Sequence, residues 1–143
     1  MVVRVVIDTN VFVSAVMSAD GTAREVLRLA LNGDAVPIFG NALFTEYEDV
    51  LARDELFKGS RIGPDERDRL FDAILSVARW VRVYYLWRPN LPDEADNHLV
   101  ELAVAGGART IITGNTRDVA RGELRFEDLD VVTPARFLKD YRS

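Results

Sequence analysis

Apolar and polar positions alternate along this chain in blocks that switch between strand and helix periods. Val2 to Ile7 is an apolar run rich in β-branched residues and broken only by Arg4. A parallel strand buried on both faces reads this way. The run stops at Asp8-Thr9-Asn10, a polar step able to cap a following helix over Val11–Met17. Asp20-Gly21-Thr22 makes a turn, with Thr22 as the cap of a helix over Ala23–Leu31. Asn32-Gly33-Asp34 ends that helix, and Val36-Pro37-Ile38 reads as a short strand. A helix opening at Asn41 or Thr45 reaches Ala52, and Pro64 heads a long amphipathic helix to Arg79. Val81–Leu86 reads as a strand, after which Pro89 and Pro92 punctuate a loop. Asp93 caps a helix through Ala105 that Gly106-Gly107 terminates. Arg109–Thr113 is a strand, followed by Gly114-Asn115 and a short helical turn. Asp130–Val132 is the last strand and Pro134–Tyr141 the last helix. This alternation predicts an α/β fold of three layers, α/β/α, around a central parallel sheet.

Ligands of such sheets bind at the carboxyl ends of the strands. Asp8 stands at one such end, and Thr113, Gly114 and Asn115 at another. The helix from Asp93 adds a second acid. Leu99, Val100 and Ala103 follow Asp96 at helical spacing, so Asp96 sits on the core-facing stripe. A first-turn acid is favoured by the helix dipole, but a carboxylate on an apolar stripe needs a partner, and a cation is the natural one. His98 and Glu101 fall towards the opposite face. Asp93 reads as an N-cap, which is compatible with membership of a site. In Leu43–Leu51 the stripe is Leu43, Tyr47, Val50 and Leu51, flanked by Glu46 on one side and Glu48 on the other. Periodicity does not choose between these two acids, and Asp49 points away.

Composition narrows the chemistry. A chain of 143 residues, 48% hydrophobic and 29% charged, reads as one globular domain over residues 1–143. It has no apolar run of the ~20 residues a membrane helix needs, and Met1 to Asp8 lacks the length and small-residue cleavage site expected of a secretory signal. With no cysteine, disulfides, thiolate zinc sites and cysteine nucleophiles are excluded, in keeping with a cytoplasmic protein. The single histidine, His98, argues against histidine-rich metal sites and most catalytic triads. A net charge of 18 minus 23, or -5, is wrong for a broad electrostatic grip on nucleic acid. Converging carboxylates suit Mg²⁺ or Mn²⁺ instead, and a bound cation turns a site that repels phosphate into one that takes it.

Three segments then carry a family likeness. Ile7-Asp8-Thr9-Asn10 resembles the opening signature of PIN domains. Asp93 to Ala103, then Gly106-Gly107-Ala108, then Ile111-Ile112-Thr113-Gly114-Asn115 resemble their distal signature, and Leu43–Leu51 the segment holding their second acid. The nearest group is the VapC-like toxins of toxin–antitoxin pairs. The resemblance implies a PIN-like fold and a metal-dependent endoribonuclease that hydrolyses RNA phosphodiester bonds with Mg²⁺ or Mn²⁺. It assigns catalysis to Asp8, Glu46, Asp96 and Asp118, with Asp8 and Asp96 as the metal ligands. It gives auxiliary or orienting roles to Thr9, Asn10, Asp93, Thr113, Asn115 and Arg117. The family's fourth acidic position falls at Asn115, three residues before Asp118, which points to one firmly held metal. Arg117, Arg121, Arg24 and Arg28 are candidates for holding phosphates, although solvation is the commoner role of any single arginine. The likeness also implies a cognate antitoxin and a homodimer, and the aromatic stretch Trp80 to Trp87 is a candidate interface beside its plainer reading as a core strand.

Two other classes compete. Asn115 allows a PIN-fold binding module that has lost catalysis and acts through protein partners. A receiver domain would want paired acids after the first strand and a lysine at a late strand end. The chain has only Lys58 and Lys139, and neither is there. An aspartyl phosphotransferase would want an acid at position 10, which is Asn10.

Overall fold

The computed structural model describes residues 2–18, 21–83, 94–116 and 129–142, with the backbone alone for 94–97. Five strands form one sheet: β1 (Val3–Ile7), β2 (Ala35–Phe39), β3 (Arg79–Trp80), β4 (Thr110–Ile112) and β5 (Asp130–Val132). Their order is β3-β2-β1-β4-β5 and every pairing is parallel. The helices among the described residues are α1 (Thr9–Met17), α2 (Thr22–Leu31), α3 (Asn41–Leu51), α4 (Pro64–Val77), α5 (Glu94–Gly106) and α6 (Pro134–Arg142). Helix α5 packs on β1, β2 and β4, while α2 and α4 pack on β2 and on each other, and α6 lies on α2. By the right-handed crossover rule the helices before β3 and helix α5 after it fall on opposite faces of the sheet, while α6 returns to the side of α2. Val5, Val6 and Ile7 are consequently all buried. This is the expected three-layer α/β/α architecture.

Local chemistry explains most boundaries. Pro64 occupies the first turn of α4, where its missing N–H costs nothing. Gly107, at φ 70°, ends α5 in the left-handed region. Arg4, the one charge in β1, donates through Nη1 to the carbonyl of Gly106 at 3.1 Å. A cation at a helix C-terminus is well placed there. A Cβ on Gly106 would stand 2.6 Å from Ile38 Cγ2, so this residue lets α5 approach β2 closely.

Several boundaries differ from expectation. Asp8 caps α1 directly, so the helix starts at Thr9 rather than Val11. Gly21, not Thr22, occupies the N-cap of α2, and α3 opens at Asn41. Helix α4 stops at Val77, short of Arg79, because the chain enters β3 there. The strand expected over Val81–Leu86 is instead the pair Arg79–Trp80, while 84–86 lie outside the described residues. Pairing of β2 with β3 begins at Ile38, immediately past Pro37, which has no N–H to give a neighbour. Residues Asp54–Phe57 form a 3-10 turn that no periodicity announced.

An aromatic cluster sits beneath the sheet's carboxyl end. Phe12, Phe39 and Phe71 surround Tyr47, whose ring stacks on Phe71 at 5.2 Å between centroids. The Tyr47 hydroxyl donates to the carbonyl of Ile7 at 2.7 Å. The last residue of β1 is thereby fixed from below, immediately before Asp8.

Candidate functional site

The sheet reverses its winding between β1 and β4, and a crevice at such a switch point is where doubly wound sheets take ligands. Asp8 follows β1 and Thr113 follows β4. The two strand ends are sewn together. Asp8 N donates to the Ile112 carbonyl at 2.9 Å, and Thr113 N to the Val132 carbonyl at 2.9 Å. The Thr113 hydroxyl, with no exposed surface, donates to Asp8 Oδ2 at 2.8 Å.

Asp8 is 8% exposed. Its Oδ1 accepts the Thr9 N–H at 2.8 Å, which is the N-cap bond of α1, and its Oδ2 also accepts from Asn10 Nδ2 at 3.3 Å. Asn10 reaches across to β4: its Nδ2 lies 3.3 Å from Thr113 Oγ1, and its Oδ1 accepts Gly114 N–H at 2.9 Å. Thr113 Oγ1 further accepts the N–H of Asn115 at 3.0 Å. Thr9 turns the other way and donates its hydroxyl to Glu46 Oε1 at 3.0 Å. Glu46 Oε2 meets His98 Nε2 at 2.7 Å. One chain of contacts thus runs from β4 through Asp8 and Thr9 to α3 and α5.

The two carboxyls differ electrostatically. Burial pushes the Asp8 carboxyl above the usual carboxylate value, and the charge of Glu46 adds to this, against the bonds from Thr113 and Thr9. The His98 hydrogen bond holds Glu46 below its usual value in spite of partial burial. Tyr47 is raised well above the ordinary phenol, first by burial and then by these two acids. Among the described residues Asp8 forms no salt bridge, so its charge is held by neutral donors alone. Together with Glu46, the Thr9 and Thr113 hydroxyls and the Asn10 amide it makes an oxygen-rich set suited to a hard cation. A buried acid left uncompensated beside a second acid is the observation that fits such an ion.

The sequence-predicted residues Asp8, Thr9, Asn10, Glu46, Thr113 and Asn115 come together here. Glu48, the rival of Glu46, lines a separate groove between α3 and α4. Asp96 lies in α5 with its side chain outside the described residues, as are Asp93, Arg117, Asp118 and Arg121 altogether. Among the described residues no three acids or histidines form a ready metal cluster. Arg24 and Arg28, considered as phosphate holders, have other partners: Arg24 Nε donates to the Ala15 carbonyl at 2.9 Å, and Arg28 pairs with Glu25. His98 corrects the expectation that it faces away, since its side chain is 11% exposed and bound to Glu46. A single apolar stripe defines one face of α5, whereas α3 packs beside that face and receives His98. Tyr47 was legible as core, but its bond to Ile7 was not.

The profile of a family described as a PIN domain matches residues 4–117. No curated protein matches the chain. Among solved structures the chain is similar to VapBC2 from Rickettsia felis bound to a DNA fragment from their promoter, with 14% identity and a TM-score of 0.57. That match covers 90% of this chain and 96% of the other. PAE2754 from Pyrobaculum aerophilum is similar at 10% identity and a TM-score of 0.57, over 99% of this chain and 91% of that one. At these identities the likeness is one of fold.

Proposed function

Because the chain belongs to the PIN-domain family, we propose that the cluster around Asp8 is the centre of a ribonuclease that uses Mg²⁺ or Mn²⁺. The observation that carries this reading is the buried, raised carboxyl of Asp8 beside Glu46 at the sheet's switch point. Asp8 would hold the cation with Asp96, and Glu46 would complete the set; Asp96 enters on the family resemblance alone. When bound there, such an ion would supply positive charge for the scissile phosphate and lower the pKa of a water.

The residues of this chain do the rest. Thr113 and Asn10 fix Oδ2 of Asp8, and Thr9 fixes Oδ1. Glu46, held below the ordinary carboxyl value, is ionised at neutral pH and can accept a water proton at an Oε atom. The water oxygen bonds to phosphorus, the bond to the leaving ribose oxygen breaks, and that oxygen ends protonated. Asp118, Asn115, Asp93 and Arg117 follow as auxiliaries from the resemblance, as does a cytoplasmic location.

We further read the protein as the toxin of a toxin–antitoxin pair, and as a homodimer. A groove of about 520 Å³ between α3 and α4 supports a protein partner. Its walls include Phe44, Leu51 and Phe71, and its rim carries Glu48, Asp68 and Asp72. Such a groove suits a basic amphipathic segment. Trp80, half-exposed on edge strand β3, is the residue to watch for a dimer contact. A second reading, a binding module without catalysis, is favoured by Asn115 standing where the family carries a fourth acid.

Cleavage of a single-stranded RNA with and without Mg²⁺ separates the two. The nuclease reading expects metal-dependent cutting that Asp8→Asn lowers about a thousandfold, roughly 4 kcal/mol of barrier, in a protein that still folds. Equal rates for parent and variant, or cutting indifferent to metal, would overturn it.

A further inference from the structure

The chain has one histidine, and it touches an acid of the candidate site. We propose that His98 is a positioning residue: its Nε2–H and the Thr9 hydroxyl grip the two oxygens of Glu46, at 2.7 and 3.0 Å, and hold that acid beside Asp8. This deepens the nuclease reading and rests on it for its catalytic consequence.

The geometry is specific. An ionised carboxylate only accepts, so the proton in the 2.7 Å contact belongs to Nε2. The ring's other nitrogen, Nδ1, is buried and meets no partner among the described residues. An imidazole set there for packing alone would gain nothing from a polar atom it leaves bare. Its useful atom is Nε2, and Glu46 is what Nε2 reaches. Glu46 is itself partly exposed on α3, where an unheld glutamate samples several rotamers. Two donors from two different elements, α1 and α5, remove that freedom. The second acid is therefore fixed before any ligand arrives, which is the preorganisation that outer residues give a metal site.

Side-chain shape makes the test sharp. Glutamine carries its amide nitrogen near the position of Nε2, and asparagine near that of Nδ1. Parent, His98→Leu, His98→Gln, His98→Asn and Asp8→Asn would be compared for RNA cleavage in Mg²⁺, after circular dichroism has verified folding. His98→Leu should lower kcat about 10–100-fold, with KM for RNA moving little. His98→Gln should restore most of the loss and His98→Asn should not. Parent-like kcat in His98→Leu, or equal recovery by glutamine and asparagine, overturns the proposal. A second measurement needs neither metal nor RNA. Because the spectrum holds one imidazole, its ring ¹⁵N signals require no assignment among histidines. Glu46→Gln should move the Nε2 signal, and an unmoved signal overturns the grip. If Asp8→Asn cuts RNA as fast as the parent, the nuclease reading fails, and the imidazole signal still decides whether His98 holds Glu46.

Discussion

Among the described residues two charged side chains are buried, in two different regions, and they are accommodated in opposite ways. Arg67, on α4, is 5% exposed. It has a counter-charge: Nη2 lies 2.8 Å from Asp54 Oδ1, a group 82% exposed, and 3.4 Å from the Leu51 carbonyl. Its guanidinium also lies 4.1 Å over the Phe57 ring. Asp8, at the strand ends, has neutral donors and a second acid for a neighbour. Burial alone therefore marks neither region as functional. Balance separates them: the arginine has a counter-charge and is tied to the 3-10 turn, whereas among the described residues the aspartate has no salt-bridge partner.

The contrast can be broken at either end. The largest stability effect belongs to Arg67→Ala, which removes a packed side chain and its stack on Phe57. It should cost about 2–4 kcal/mol in urea unfolding while leaving RNA cleavage by the folded fraction unchanged. A loss of cleavage with no loss of stability would reverse the roles assigned to the two sites. Next comes the cation itself. Mg²⁺ at a hundredfold excess over its Kd should stabilise the parent by about 2.7 kcal/mol, and Asp8→Asn should show little of this in a thermal melt.

The pH dependence sharpens the same point. The folded pKa of Asp8 is raised, so the folded state holds that proton more tightly than the unfolded chain. Asp8 consequently costs stability as pH rises from the ordinary carboxyl range through its raised value, and Asp8→Asn should abolish that decline. Glu46 has the opposite sign: its contribution is present above the ordinary value and is lost as pH falls through its lowered one. Stability measured from pH 3 to 8 without metal, in parent and both amide variants, checks the pair. The smallest effect is Tyr47→Phe, which removes the bond to the Ile7 carbonyl and should cost about 1 kcal/mol. A much larger drop in cleavage than in stability would show that this bond aims Asp8.

How much was legible in the sequence depended on whether one element sufficed. The strand ending at Asp8 is written in its β-branched run, and Pro64 and Gly107 mark helix ends by backbone chemistry that needs no neighbour. Thr113 was readable as a strand end, but its bond to Asp8 spans 105 residues and has no local sign. The choice of Glu46 over Glu48 turns on which element faces each side of α3: Thr9 and His98 meet one acid, and the groove beside α4 receives the other. His98 was misplaced for the same reason. A helix period describes one apolar stripe and says nothing about a polar neighbour packed beside it. Strand β3, two exposed residues at the sheet's edge, has too little burial to leave a pattern.

The long span of the Thr113–Asp8 bond has a consequence for how the protein comes into being. Closing a loop of 105 residues carries an entropy penalty on the order of 4 kcal/mol by its length dependence alone, so nothing local can assemble this crevice early. During synthesis the ribosome delivers Asp8 and Glu46 long before Thr113. A nascent chain that has reached only as far as α4 carries both acids without the hydroxyl that Thr113 donates to Asp8. The crevice is therefore complete only once β4 has emerged and paired with β1.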